Sequence, residues 1–182
     1  AGDFVNGNTN QLIRNSAGNF GTQQGGGDDY FTTISVPAGT WSTGLNMFGN
    51  VYTQLMMGSN GYVTFGTGYS GYIPSGIDAY TRSPMLAAQF DDLYINAGAR
   101  NVTAGAGAGT SLGSSKMYYY AENNKLVFTW DNVGLYSNGV SDTQTSSGGR
   151  GSAFQIIIHK PTGDTTADQN FGIEYRYEEI SQ

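Results

Sequence analysis

Three adjacent acid pairs, one histidine and one glycine-rich loop are the residues whose types could carry chemistry in this chain. Glycoside hydrolysis needs two carboxyl groups facing each other about 5 to 9.5 Å apart. The pairs here are Asp28-Asp29, Asp91-Asp92 and Glu178-Glu179. Adjacent residues on a strand point to opposite faces, so neither member of a pair serves the other. His159 is the sole histidine, and any Ser-His-Asp arrangement must use it. Alternation puts it beside Gln155 and opposite Phe154, Ile156 and Ile158, at a strand end before Lys160-Pro161, so it is expected to be an exposed surface residue. Ser70 follows Gly68 by two positions but has Tyr72 where a nucleophile elbow needs its second glycine. Gly66-Thr-Gly-Tyr-Ser-Gly71 spells a phosphate-binding turn, yet Pro74 stands where the helix should begin. No enzyme is expected, and no catalytic residue is assigned.

Calcium takes hard oxygen ligands from loops, which makes Asp91, Asp92 and Asp131 its candidates, with Asp28, Asp29 and Asp142 of the same type. Their spacing fits neither the twelve-residue calcium loop nor the nonapeptide repeat, and the competing reading is that they form turns and end strands. No other cofactor is expected. The chain has no cysteine, which removes thiolate and disulfide chemistry. The loop aromatics Trp41, Tyr69, Tyr72 and Tyr136 are candidates for stacking on a glycan or anchoring a matrix protein. Tyr118-Tyr119-Tyr120 must send side chains to both faces of whatever strand carries it.

The elements that would hold these residues are strands. The 28 glycines among 182 residues leave no window with helical periodicity. Strand-like runs lie at 32–36, 45–48, 53–57, 62–65, 85–90, 116–121, 126–130, 154–159 and 171–178. In the last, Phe171, Ile173, Tyr175 and Tyr177 alternate with Gly172, Glu174, Arg176 and Glu178, which predicts one core face and one wet face. Asn60-Gly61 reads as a tight two-residue hairpin turn, and Glu122-Asn123-Asn124 as a looser one. The fold class is therefore all-β: an antiparallel β-sandwich, or its barrel-like variant, with long Gly-rich loops such as 96–115 and an extended N-terminal arm.

Net charge is -6, but only 12% of residues are charged, about half the usual share of ~25%. Eight scattered basic residues make no stripe for nucleic acid, and no apolar run reaches the ~20 residues of a membrane span. A start at Ala1 fits a processed secreted chain. Residues 1–27 read as an arm or linker before a β domain at 28–182. The arm places Phe4, Val5, Leu12, Ile13 and Phe20 among polar residues, a composition too poor to fold alone.

The order of motifs resembles a known family. Asp28-Asp29, Phe48-Gly49, Tyr52-Thr-Gln-Leu55, Ser59-Asn-Gly-Tyr-Val-Thr-Phe-Gly66 and Met85-Leu-Ala-Ala-Gln-Phe-Asp-Asp-Leu93 are followed by Leu126-Val-Phe-Thr-Trp-Asp-Asn-Val-Gly-Leu-Tyr136. Ala153-Phe-Gln-Ile-Ile-Ile158 and Asn170-Phe-Gly-Ile-Glu-Tyr-Arg-Tyr-Glu-Glu-Ile180 then complete it. This sequence is similar to the NIDO domain named for nidogen, with Ala88-Gln89-Phe90 in place of the usual Pro-Phe-Trp. The resemblance implies an extracellular or cell-surface adhesion module without enzyme activity, in which 126–130 is a core strand and Asp131 ends its ladder. An arm with spaced apolar anchors could add itself as a strand to the next copy and build a head-to-tail fibre. The alternative is a monomeric glycan- or matrix-protein-binding module. Asn101 heads the sole N-x-[ST] sequon, a candidate glycosylation site.

Overall fold

The computed structural model describes residues 11–72, 83–95, 110–137, 140–142, 151–161 and 170–180. Phe4, Val5 and Asn101 lie outside them. Among the described residues thirteen strands follow in chain order: β1 Thr22–Gln23, β2 Phe31–Ser35, β3 Leu45–Met47, β4 Asn50–Tyr52, β5 Gln54–Gly58, β6 Tyr62–Phe65, β7 Met85–Ala87, β8 Leu93–Tyr94, β9 Lys116–Glu122, β10 Lys125–Ser137, β11 Val140–Asp142, β12 Ser152–His159 and β13 Gly172–Glu179. The large sheet runs β1-β9-β10-β12-β13, with β8 and β11 pairing the far half of β10. The second sheet runs β2-β5-β6-β7, and β3-β4 is a separate ribbon. Both sheets are open, so the arrangement is a sandwich and the barrel variant does not occur.

Alternation builds the interior. Leu126, Phe128 and Trp130 of β10 and Phe154, Ile156 and Ile158 of β12 face Ile34, Leu55, Met57, Val63 and Phe65 of the second sheet in one core. Each such side chain contributes about 1.5–3 kcal/mol by leaving water. The Trp130 ring stacks on Phe154 with centroids 5.0 Å apart. Its indole N–H donates across the sandwich to the Gly58 carbonyl at 3.0 Å.

Two turns exchange the roles expected of them. Gly58 pairs with Tyr62, so Ser59-Asn60-Gly61 is a three-residue loop in which Gly61 has φ 81°. A Cβ at Gly61 would fall 1.8 Å from the Gln89 carbonyl oxygen, so the close approach as well as the φ requires glycine. The tight turn is instead Asn123-Asn124, with φ 50° and 60° between the paired Glu122 and Lys125. Both central residues lie in the left-handed region, the type I′ pattern that asparagine tolerates.

The strand expected to stop at Trp130 does not stop. The β10 pairing with β12 shifts register between Trp130 and Val133, where Asn132 sits at φ 55°. This bulge lets the second half of β10 leave β12 and pair with β8 and β11. On β13 the expected faces are right but the burial is not. Tyr177 pairs with Phe154, Tyr175 with Ile156 and Ile173 with Ile158, which sets all three on the core side. β13 ends the sheet, and Ile173, Tyr175 and Tyr177 remain 42%, 40% and 39% exposed.

Candidate functional site

The large sheet has a second buried face. Val127 and Ile157 are wholly buried on the side away from the core, and Tyr120 joins them. The arm covers them. Leu12 and Phe20 are 2% and 1% exposed, packed on Ala153 and Tyr118, while Ile13 lies against Tyr120, Val127 and Ile157. Residues 11–23 form a strap crossing the sheet from β13 at Gln11 to β9, where Thr22 and Gln23 pair with Tyr119 and Tyr118. Described residues of the 1–27 segment are thus seated on their own chain's sheet, with only two of them in a ladder.

Side chains of the sheet grip the strap by its backbone. Gln155 is 0% exposed, and its amide exchanges two 2.8 Å hydrogen bonds with Ile13: Oε1 accepts from the Ile13 N–H and Nε2 donates to the Ile13 carbonyl. The same Nε2 donates to Thr129 Oγ1 at 2.8 Å. Arg176 Nη1 donates to the Gln11 carbonyl at 3.1 Å. Glu178 accepts from the N–H groups of Leu12, Thr110 and Ser111 and from the Thr110 hydroxyl. Burial pushes the Glu178 carboxyl up, but these donors outweigh it and hold it below the ordinary glutamate range. Burial likewise raises Glu174, and its bonds to His159 and Arg176 reverse the sign. Beyond the crossing, the Ser16 N–H donates to Glu122 at 2.8 Å, and the Arg14 guanidinium lies 5.3 Å over the Phe20 ring.

Asp131 is a structural acceptor inside β10, paired with Lys116, which corrects its reading as a ladder end. It is wholly buried, and its two oxygens accept from the Ser111 hydroxyl, the Leu112 N–H, and the N–H and hydroxyl of Ser114. These four donors satisfy both carboxylate oxygens. Of the three calcium candidates, Asp92 is the one that joins a cluster of three acids among the described residues. Carboxylate oxygens of Asp28, Asp29 and Asp92 lie within 4.8 Å of one another. The buried Asn60 assembles this corner by donating to Asp29 Oδ1 and the Gly71 carbonyl and accepting from the Leu93 N–H. Burial, then repulsion from neighbouring aspartates, raises the carboxyls of Asp28 and Asp92. Asp91 stands outside the trio and accepts from the Asp92 N–H.

The aromatic candidates separate. Trp41 is 1% exposed, inside the core, with its indole N–H on the Asn170 carbonyl, so it presents no ligand-binding surface. Tyr69 is half-buried, packed on Tyr62 and Phe90. Tyr72 and Tyr136 are exposed. Among the described residues the most exposed large apolar side chain is Phe48, at 83%, which the sequence named only within a strand-like run and a family motif. His159 Nε2 lies 2.7 Å from Glu174 Oε2, half-exposed, and no hydroxyl is bonded to it among the described residues. Gln155 and Glu178 were also missed. The consecutive isoleucines 156–158 carried the signal, since a strand apolar on both faces must be covered on both.

A family model described as NIDO related matches residues 15–167, most of the chain and the latter part of the strap. Searches of curated proteins and of solved structures returned no match.

Proposed function

Because this chain belongs to the NIDO-related family, a group of generally extracellular, adhesion-like modules, we propose that it is a non-enzymatic structural subunit that forms a surface fibre by holding neighbouring copies through its N-terminal arm. The observation that carries this reading is the strap itself. It is a discrete element seated on a sheet face by its own anchors, outside the sandwich core. Few charges and many neutral polar residues give a surface suited to standing outside a cell in contact with like surfaces. Electron microscopy of the purified chain tests it. Filaments that grow with concentration and vanish when residues 1–23 are deleted are expected. Discrete monomers at every concentration would overturn the fibre reading.

The rival reading, a monomeric glycan- or matrix-protein-binding module, keeps the exposed Tyr72 and Tyr136 and loses Trp41. Glycan binding by a monomer, abolished by Tyr72→Ala or Tyr136→Ala, would favour it.

A further inference from the structure

We infer that the fibre contact is an exchange of straps: residues 11–23 of one chain leave their own sheet and fill the groove keyed by Gln155 on the next chain. This rests on the fibre reading and replaces the strand addition expected from the sequence. Strand addition would run along a sheet edge and draw its affinity from a ladder. The strap crosses the sheet, and its ladder is only Thr22–Gln23 against β9.

Three observations carry the inference. First, the sandwich core is complete without the strap: none of Leu12, Ile13 or Phe20 belongs to the main cluster, and they pack only in two small clusters on the outer face. An element that adds a third layer can leave without opening the core. Second, the groove cannot stay vacant. The Gln155 amide is wholly buried and holds the Ile13 backbone at both ends as well as Thr129 Oγ1, so an empty groove exposes Val127 and Ile157 to water and leaves that amide only its bond to Thr129 within the chain. A vacated groove must be refilled, and the segment that fits its register is another strap.

Third, the joint between strap and sandwich is Gly25-Gly26-Gly27. Gly27 is fixed to the body through its bridge to Ile95 and holds φ 128°, a conformation other residues rarely adopt. Redirecting the chain before that anchor moves the strap without moving the sandwich. Every strap contact is the same whether it is made within one chain or between two, so exchange costs only the hinge change and the loss of the tethered strap's effective concentration, on the order of millimolar. Because the groove and the departing strap are different surfaces, repeated exchange is head-to-tail and builds an open filament when the rotation between copies does not close, whereas reciprocal exchange closes a dimer.

The absence of cysteine makes the test direct. Gln23 and Tyr118 are opposed in the β1–β9 ladder, so a cysteine at each records where the strap lies. In the first experiment both substitutions, Gln23→Cys and Tyr118→Cys, are in one chain, oxidised when dilute. An intramolecular disulfide confirms the pairing and a folded chain, and locks the strap at home. Filament formation is then expected to be lost and to return with reductant. In the second, a Gln23→Cys chain is mixed with a Tyr118→Cys chain, assembled and oxidised, and a disulfide joining the two species is expected in the filaments. Filaments from the locked, oxidised chain, or mixed filaments lacking that disulfide, would overturn exchange while leaving the fibre reading in place. Soluble dimers joined by the disulfide, with no filaments, would support exchange and overturn the fibre. Neither filaments nor joined species would overturn both.

Discussion

The β3–β4 ribbon turns through Phe48 and Gly49, between the paired Met47 and Asn50. Phe48 has φ 52° and Gly49 φ 84°, so both central residues lie in the left-handed region that a type I′ turn demands. Asparagine and glycine suit the first position, whereas a phenylalanine there sets its Cβ against the following carbonyl at a cost of roughly 1–2 kcal/mol. At 83% exposure the ring returns little of that through burial. Replacing it with asparagine creates the favoured Asn-Gly pair, and Phe48→Asn is expected to stabilise the chain by about 1 kcal/mol. For a chain of this size that raises Tm by about 2–4 °C. Phe48→Ala separates strain from packing, because alanine loses the ring but keeps a Cβ at the same φ, and its stability should stay within about 0.5 kcal/mol of the parent. Urea titrations of the three proteins give the comparison. A loss of 2 kcal/mol or more in Phe48→Ala would show that the ring is packed and would refute the argument.

Asp131→Asn should cost about 3 kcal/mol in urea unfolding, since an amide in place of the carboxylate turns an N–H₂ toward buried donors of the 111–114 segment. At the acidic corner the sign reverses. Raised carboxyl groups stabilise fully below their unfolded pKa, and that contribution is lost as pH rises through the folded value, so Asp92→Asn should raise Tm at neutral pH and change little in acid. Calcium chloride is the control, because an ion held by the trio would make the same substitution destabilising when calcium is present. Glu178 and Glu174 behave oppositely. Their lowered carboxyls stabilise above the unfolded pKa, and that stability is lost as pH falls through the folded value. The strap should therefore loosen in acid, read from the amide signals of Leu12 and Thr110 on titration, and Glu178→Gln should remove that response.

Much of the fold is legible in the residues because a strand's side chains obey a period of two. Leu126, Phe128 and Trp130 face inward for the same reason that Thr129 and Asp131 do not. What the period cannot supply is a strand's place in its sheet. Ile173, Tyr175 and Tyr177 alternate as cleanly as any core strand, yet they stand at an edge and stay exposed. Turn chemistry is similarly local only in part. Asn60-Gly61 has the letters of a two-residue turn, but Asn60 is drawn inward by Asp29, Gly71 and Leu93, partners distant in sequence, and the loop takes a third residue. Trp41 looked like a loop aromatic for want of a periodic neighbour, and its indole is held by Asn170 from the other end of the chain. The arm groove could be inferred only from the apolar run at 156–158. The partner that covers it lies more than a hundred residues away, and no local pattern names it.

The way the strap is held bears on how selective an assembling surface can be. A bare sheet edge pairs with almost any extended chain, because ladder bonds are made by backbone to backbone. Here the sheet meets the strap backbone with side chains at fixed places: Gln155 at Ile13, Arg176 at Gln11 and Glu178 at Leu12. Such groups fix the register, since a shift of one residue sets a donor against a donor. Leu12 and Phe20, eight positions apart around a compact Asn15–Asn19 turn, then require two apolar residues at that separation. An extended peptide from another protein meets the first condition only by chance and the second hardly ever. Selectivity for this chain's own strap thus arises from the sheet face, while the β13 edge sets Glu174, Arg176 and Glu178 along its outer side, charges of the kind that discourage indiscriminate pairing.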